Sequence, residues 1–468
     1  MRTQLITVAF AFSSAMWPGL TMAQEPAGEP EQAKPETAKS QPATESIGAL
    51  EQKAAAARQE EDWMRLYRYS MDLHERRPFN PDYMLNIIRA TAAMDRPRTA
   101  YHFMLQMQQQ GLSYDIDAIP QTAGIRDTEA YEYLNKLMRE AGQPAGSGRK
   151  VLSVPGSPYD LGDIAWDDTR KRFLVGTRRE GELLAVAEGG EVDVLLRSDN
   201  ENGMWSLDGL AVDEANNALW IASSASPVFA DYTPADARRG GLFRFALDSL
   251  ELVNRYNLPV DGLPHSLGSV AVTANGDVYV IDRAVPVIYR KSAEGERLEH
   301  FVALPDHVAL TDITATPDSS RLFVSDAVVG VAVIDPNAGQ LVPLGGPENL
   351  NQFGIYGIDY TEKSLVVTQS GISPQRLMRL TLDEGGTKVT ETTPLAVALE
   401  GFDTPGVGTI RGEDIFYFAN HGAPQGGSEK LLMATPLDSG ETIESPDMRV
   451  FQEALRERLE REKEAQEQ

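Results

Sequence analysis

No cysteine occurs among the 468 residues of the chain. Disulfides, thiolate metal sites, thiol nucleophiles and a lipid-modified N-terminal cysteine are thereby excluded together. Positive charge is scarce: 43 Lys and Arg stand against 69 Asp and Glu, a formal charge of −26. So acidic a chain repels phosphate backbones and anionic headgroups, which argues against nucleic acid as a partner and against stable membrane insertion. Only six histidines are present, and none makes a metal-ligand spacing within one helix. There is no Gly-x-Ser-x-Gly elbow, and His74-Glu75 is followed by Arg76-Arg77-Pro78 instead of a second histidine. Apolar residues still make up 42% of the chain, with 39 Gly and 28 Pro. That composition suits a large core in a fold with many turns.

Met1-Arg2, the mostly apolar run Leu5 to Trp17 and the small residues up to Ala23 read as a signal peptide over 1–23, cut after Ala23. The mature protein is therefore expected to be secreted and, lacking cysteine, periplasmic. Residues 24–45 hold four prolines and no large apolar residue, so they read as a disordered linker. From 46 to 145 the apolar spacing becomes helical: Trp63, Leu66, Tyr67, Ser70; then Tyr83, Ile87, Ile88; then Ala100, Phe103, Met104, Met107; and last Tyr131, Leu134, Met138. Pro81, Pro97 and Gly111 punctuate that stretch. A small α-helical domain is expected, and its paired short helices resemble tetratricopeptide-type repeats, best over Pro81–Gly111. A plain helical cap is the alternative. Residues 449–468 alternate charges around Phe451, Leu455 and Leu459, the pattern of a charged C-terminal helix.

Residues 149–448 carry a different signal. A short strand recurs as Asp163-Ile-Ala-Trp, Asp208-Gly-Leu-Ala-Val, Gly268-Ser-Val-Ala-Val, Thr311-Asp-Ile-Thr-Ala, Tyr356-Gly-Ile-Asp-Tyr and Gly406-Val-Gly-Thr-Ile. Each copy leads through a polar turn to a second strand such as Leu219-Trp-Ile, and then to a third such as Gly241-Leu-Phe-Arg-Phe. Counted from Ile164 through Leu210, Val270, Ile313, Ile358 and Val407, the copies fall 46, 60, 43, 45 and 49 residues apart. Four short strands per copy is the period of a β-propeller blade, and one copy alone cannot bury both its faces. The fold expected is mainly β: a six-bladed β-propeller preceded by the helical domain and followed by the C-terminal helix. Arg149–Val154 would supply the last blade's outer strand. The long interval comes from an insertion, 223–240, placed to cover one face as a lid.

The runs DGLAVDEANNALWIA, SVAVTANGDVYVID and DITATPDSSRLFVSDAVVGVAVID resemble NHL-repeat propellers and the gluconolactonase / senescence-marker-protein family. That second resemblance implies a lactone or ester hydrolase with Ca²⁺ at the channel mouth. Matched position by position, the family's first-blade Glu has no counterpart near Gly162, ahead of Trp166. Leu207-Asp208-Gly209 keeps the Asp but not the preceding Asn, Gly268-Ser269 replaces Asn-Gly, and Asp312 is left for the last acid. At most two of four ligands, Asp208 and Asp312, remain as metal candidates. No cofactor is predicted; Ca²⁺ enters only through the resemblance.

In a propeller, loops entering the first strands and loops joining second to third strands meet on one face. There the chain brings Asp163, Trp205, Asp208, Asp312, Asp326, Tyr356, Asn420 and His421 as candidates for a binding face. His265 and His307 precede consecutive first strands and are the candidates for a proton-transfer pair. Two functions follow: an exported binding or scaffold protein recognising a protein or small-molecule ligand, or a hydrolase of lactones or related esters.

Overall fold

The computed structural model describes residues 45–154, 160–259, 261–422 and 429–440. The expected signal peptide, nearly all of the linker and the C-terminal helix lie outside these residues.

Five helices open the described chain: α1 (Ile47–Gln59), α2 (Trp63–Arg76), α3 (Pro81–Ala93), α4 (Pro97–Gln109) and α5 (Glu129–Ala141). Their starts follow capping chemistry. Ser46, Asp62, Asn80 and Thr128 each accept a backbone N–H of the first turn, and Pro81 and Pro97 occupy the first helical positions. Gly111, at φ +67°, follows the end of α4. Consecutive helices pack on one another, and Met84, Ile87, Met104, Met107, Leu134 and Met138 fill their core.

The rest is six antiparallel sheets forming the six expected blades: five have four strands, and the sheet of blade 5 has a fifth, the short strand Ala145–Gly146 paired with Ala396 and Val397. Blade 1 runs Leu161–Asp167, Arg172–Thr177, Glu182–Ala187 and Val192–Arg197; blade 2 runs Ser206–Asp213, Ala218–Ser224, Gly240–Ala246 and Leu252–Asn257. Blade 3 begins at Leu267–Val272, blade 4 at Leu310–Ala315, blade 5 at Ile355–Thr361 and blade 6 at Gly408–Arg411. Each first strand packs on the next, and the sixth returns to the first. The sixth sheet takes Arg149–Val154 as its outer strand, beside Lys430–Pro436. The ring is thus closed by chain that precedes blade 1, which covers the otherwise bare outer edge of Lys430–Pro436.

The repeat frame read from Ile164, Leu210, Val270, Ile313 and Ile358 matches the strand register, their partners being Val175, Ile221, Val280, Val324 and Val367. In blade 6 the frame falls one residue later than Val407, on Gly408, which pairs with Tyr417. In blades 1 to 5 the pairing of the first strand shifts near its start. Such bulges bend the strands where they converge. The convergence is close: a Cβ on Gly209 would lie 2.0 Å from the carbonyl oxygen of Gly268, and one on Gly162 would lie 2.2 Å from that of Leu207. Only glycine fits at these two places.

The helical domain is seated on blade 5 and the loop before it. The side chain of Arg376, 2% exposed, donates to the carbonyls of Gln110 (2.8 Å) and Gly111 (3.2 Å), acceptors left over at the end of α4. Asn351 donates to the Phe79 carbonyl and to Gln110 Oε1 at 3.0 and 2.8 Å. Ile372 of blade 5 joins the helical core. Burial lowers the Arg376 pKa to about 10, so it stays charged at neutral pH.

Candidate functional site

The channel of about 300 Å³ is lined by the first strands of all six blades. Asp163 and Asp312 occupy equivalent places in blades 1 and 4. Asp163 accepts from its own neighbour Ile164 N at 2.8 Å and from Leu210 N of blade 2 at 3.1 Å. Asp312 does the same with Ile313 N and with Ile358 N of blade 5, both at 2.8 Å. Each carboxylate therefore staples two adjacent blades. Asp208 belongs to a different frame: its place in blade 2 is the bulge, one residue ahead of the position of Asp163. It is 6% exposed, its Oδ2 has no hydrogen-bond partner, and its Oδ1 lies 4.0 Å from Arg283 Nη1.

A third channel carboxylate, Asp359, was not among the candidates. It follows Ile358, where the other blades carry Ala165, Ala211, Ala271, Thr314 and Thr409. A lone acid at a position otherwise small was the signal that could have found it. Burial raises all of these acids. Asp163 rises to about 7, helped by the charge of Asp312, and Asp208 to about 6 against the pull of Arg283 and Arg178. Burial lifts Asp312 as well, and it lifts Asp359 well above the ordinary range, with Asp312 and Asp163 adding repulsion. Burial and mutual repulsion therefore favour the protonated forms of these channel acids.

The remaining candidates are tied into loops. Asp326 collects the N–H groups of Val308 and Ala309 on one oxygen and those of Val328 and Val329 on the other, at 2.7–3.0 Å. His265 sits between two carboxylates, Nδ1 2.7 Å from Asp282 and Nε2 3.1 Å from Asp261. His307 is 8% exposed, and burial lowers its pKa. Each histidine neighbours the aspartate that ends its own blade's second strand, and no contact joins the two among the described residues. Asn420 bridges Leu431 N and Glu429 O, both at 2.8 Å. The His421 Nε2–H donates to the Gly162 carbonyl at 2.9 Å across the blade 6–blade 1 junction, and burial lowers its pKa to about 4, so it is neutral. Tyr356 is 40% exposed on the same face.

These residues do not fit the calcium site that the resemblance implies. Both oxygens of Asp163 and of Asp312 are already on backbone N–H groups, and of the two metal candidates only Asp208 keeps an oxygen without a hydrogen bond. Among the described residues no group of three or more His, Asp or Glu side chains is placed to hold a metal ion. No helix there is long and apolar enough to cross a membrane.

A second concavity lies at the rim between blades 1 and 2. It has a volume of about 800 Å³ and is bounded by the 198–205 loop, the insertion and the chain leaving blade 2. The insertion is fastened down, which departs from the expected lid. Ala225 N donates to Arg239 O and Ala230 N to Arg179 O, both at 2.8 Å, and Phe229 is buried. Trp205 and Asp236 both line the cavity, and Asp236 accepts from the Thr233 hydroxyl at 2.6 Å. Sequence reading singled out Trp205 and the insertion but not the cavity, which exists only once two blades stand side by side.

No family model matches the chain, and no curated protein sequence matches it. Solved structures do. The PQQ-bound form of an aldose sugar dehydrogenase from Streptomyces coelicolor is 16% identical, covering 63% of this chain and 99% of its own, with a TM-score of 0.44. A gluconolactonase from Xanthomonas campestris is also 16% identical, over 64% of this chain and 92% of its own, with a TM-score of 0.42. Virginiamycin B lyase from Staphylococcus aureus is 13% identical, over 63% and 100%, with a TM-score of 0.41.

Proposed function

We propose that this is an exported recognition protein, with the propeller's loop face and the helical domain serving as one rigid platform for a protein or small-molecule ligand. The observation that supports it best is the state of the candidate acids: Asp163, Asp312 and Asp326 spend their oxygens on backbone N–H groups instead of leaving them convergent and free. The seating of the helical domain on blade 5 through Arg376 and Asn351 supports a single platform.

Asp208 favours a second reading, a hydrolase of lactones or related esters. An unpartnered buried carboxylate with a raised pKa, facing an arginine, is a general acid–base in waiting. Calorimetric titration with Ca²⁺, followed by a panel of lactones and aryl esters with and without chelator, decides between the two. The recognition reading expects neither micromolar Ca²⁺ binding nor turnover. Micromolar Ca²⁺ binding abolished in Asp208→Ala, or ester turnover lost in Asp208→Asn, would replace it with the hydrolase.

A further inference from the structure

We propose that the rim cavity between blades 1 and 2 binds an acidic saccharide, a short chain of sugar rings carrying uronate-type carboxylates. The inference rests on the recognition reading and gives its face a ligand class.

The cavity's size is that of a small-molecule site and suits about two or three sugar rings. Its charges divide into those already used and those left over. Asp236 accepts from the Thr233 hydroxyl at 2.6 Å and lies 3.7 Å from Arg239 Nη1. Asp199 accepts the N–H groups of Glu201 and Asn202 at 2.8 and 2.7 Å. Arg255 donates to the Glu201 carbonyl. Arg238 and Asp231 line the cavity, are exposed, and make no hydrogen bond or ion pair among the described residues. Arg238 is also held at φ +71°, a left-handed backbone that is costly for a residue with a side chain.

In a chain of charge −26, an arginine free of acidic partners at a cavity wall is a selective point for an anion. A guanidinium matches a carboxylate in a planar, two-bonded geometry. Asp231 and Asn257, also on the wall, supply acceptors and an amide for hydroxyl groups. Trp205 adds an aromatic ring, the surface on which the C–H face of a sugar rests. A carboxylate reader, hydroxyl partners and an indole together describe a sugar acid better than a plain anion, which needs only the first.

The test is calorimetry on the full chain with trigalacturonate, its methyl ester and a triglutamate peptide. Trigalacturonate should bind about tenfold more tightly than the uncharged ester, and its affinity should fall as salt rises. Arg238→Gln should weaken trigalacturonate about tenfold, leave the ester unchanged and unfold at the wild-type temperature. Equal binding of acid and ester, no effect of Arg238→Gln, or tighter binding of triglutamate would each overturn the proposal. Silence with every saccharide and no ester turnover would overturn the ligand class alone. Ester turnover dependent on Asp208 would remove the recognition reading beneath it.

Discussion

In the channel, Asp163 and Asp312 lie buried with both carboxylate oxygens on backbone N–H groups, whereas at the rim Arg238 and Asp231 stand exposed and unpaired. Arg376, under α4, belongs with the channel. Its charge is buried and divided among carbonyls that would otherwise lack donors. The contrast separates two uses of charge. Buried polar groups stabilise the ring because their loss leaves partners stranded in a dry place. Exposed ones add little to stability and remain available to a ligand.

The sharpest way to break the comparison is at Arg376. Arg376→Ala strands the Gln110 and Gly111 carbonyls and should cost about 3 kcal/mol or more in chemical unfolding. It should also make the helical domain sensitive to protease before the propeller unfolds. If both properties stay at wild-type values, the buried side of the contrast is wrong. Asp163→Ala orphans two N–H groups at the junction of blades 1 and 2, and a loss of about 2–4 kcal/mol is expected.

Asp359 sharpens the same comparison in the opposite direction. Its folded pKa, like that of Asp163, is raised, so above the ordinary aspartate value of about 4 the folded chain keeps protons that the unfolded chain has released, in the case of Asp163 up to about pH 7. Stability from these groups therefore falls as pH rises through that window. His421 works the other way: its folded pKa of about 4 adds stability above the ordinary histidine range, lost as pH falls from about 6.5 toward 4. Asp359→Asn should raise stability by about 1–2 kcal/mol at pH 8 and change it little at pH 4. Thermal unfolding at the two pH values checks this, and equal shifts at both would refute the proton-holding channel. The smallest stability effect is expected at the rim, where Arg238→Gln should stay within about 0.5 kcal/mol.

Much of this architecture was legible in the chain because blades repeat. Ile164, Leu210, Val270, Ile313 and Ile358 face inward at a fixed frame, and burial of that frame demands apolar residues at regular spacing. The sixth copy slipped by one because Gly408-Thr409-Ile410-Arg411 is partly exposed along its length and lacks a clean alternation. Asp208 looked equivalent to Asp163 because both open a strand motif with Asp, although the Ile164–Leu210 frame sets Gly209 opposite Asp163. Proline at α3 and α4 marked helix starts in advance, while the partnership of Arg376 with α4 joins residues some 265 positions apart and leaves no local trace. The rim cavity was illegible for the same reason, since three separate loops build it.

The strand Arg149–Val154, which completes blade 6, has a consequence for how the chain is made. It leaves the ribosome before any blade, yet its partner Lys430–Pro436 is among the last described segments to appear. Through nearly all of synthesis this strand waits without a neighbour, and the helical domain waits beside it for Arg376. Closure of the ring is thus a contact of very high sequence separation, the kind that makes folding slow. A chain ending before Lys430 should remain an open crescent with bare strand edges. Refolding followed separately by tryptophan fluorescence and far-ultraviolet dichroism would show the helical signal recovering ahead of ring closure. Simultaneous recovery would mean that the ring and the helices form as one unit.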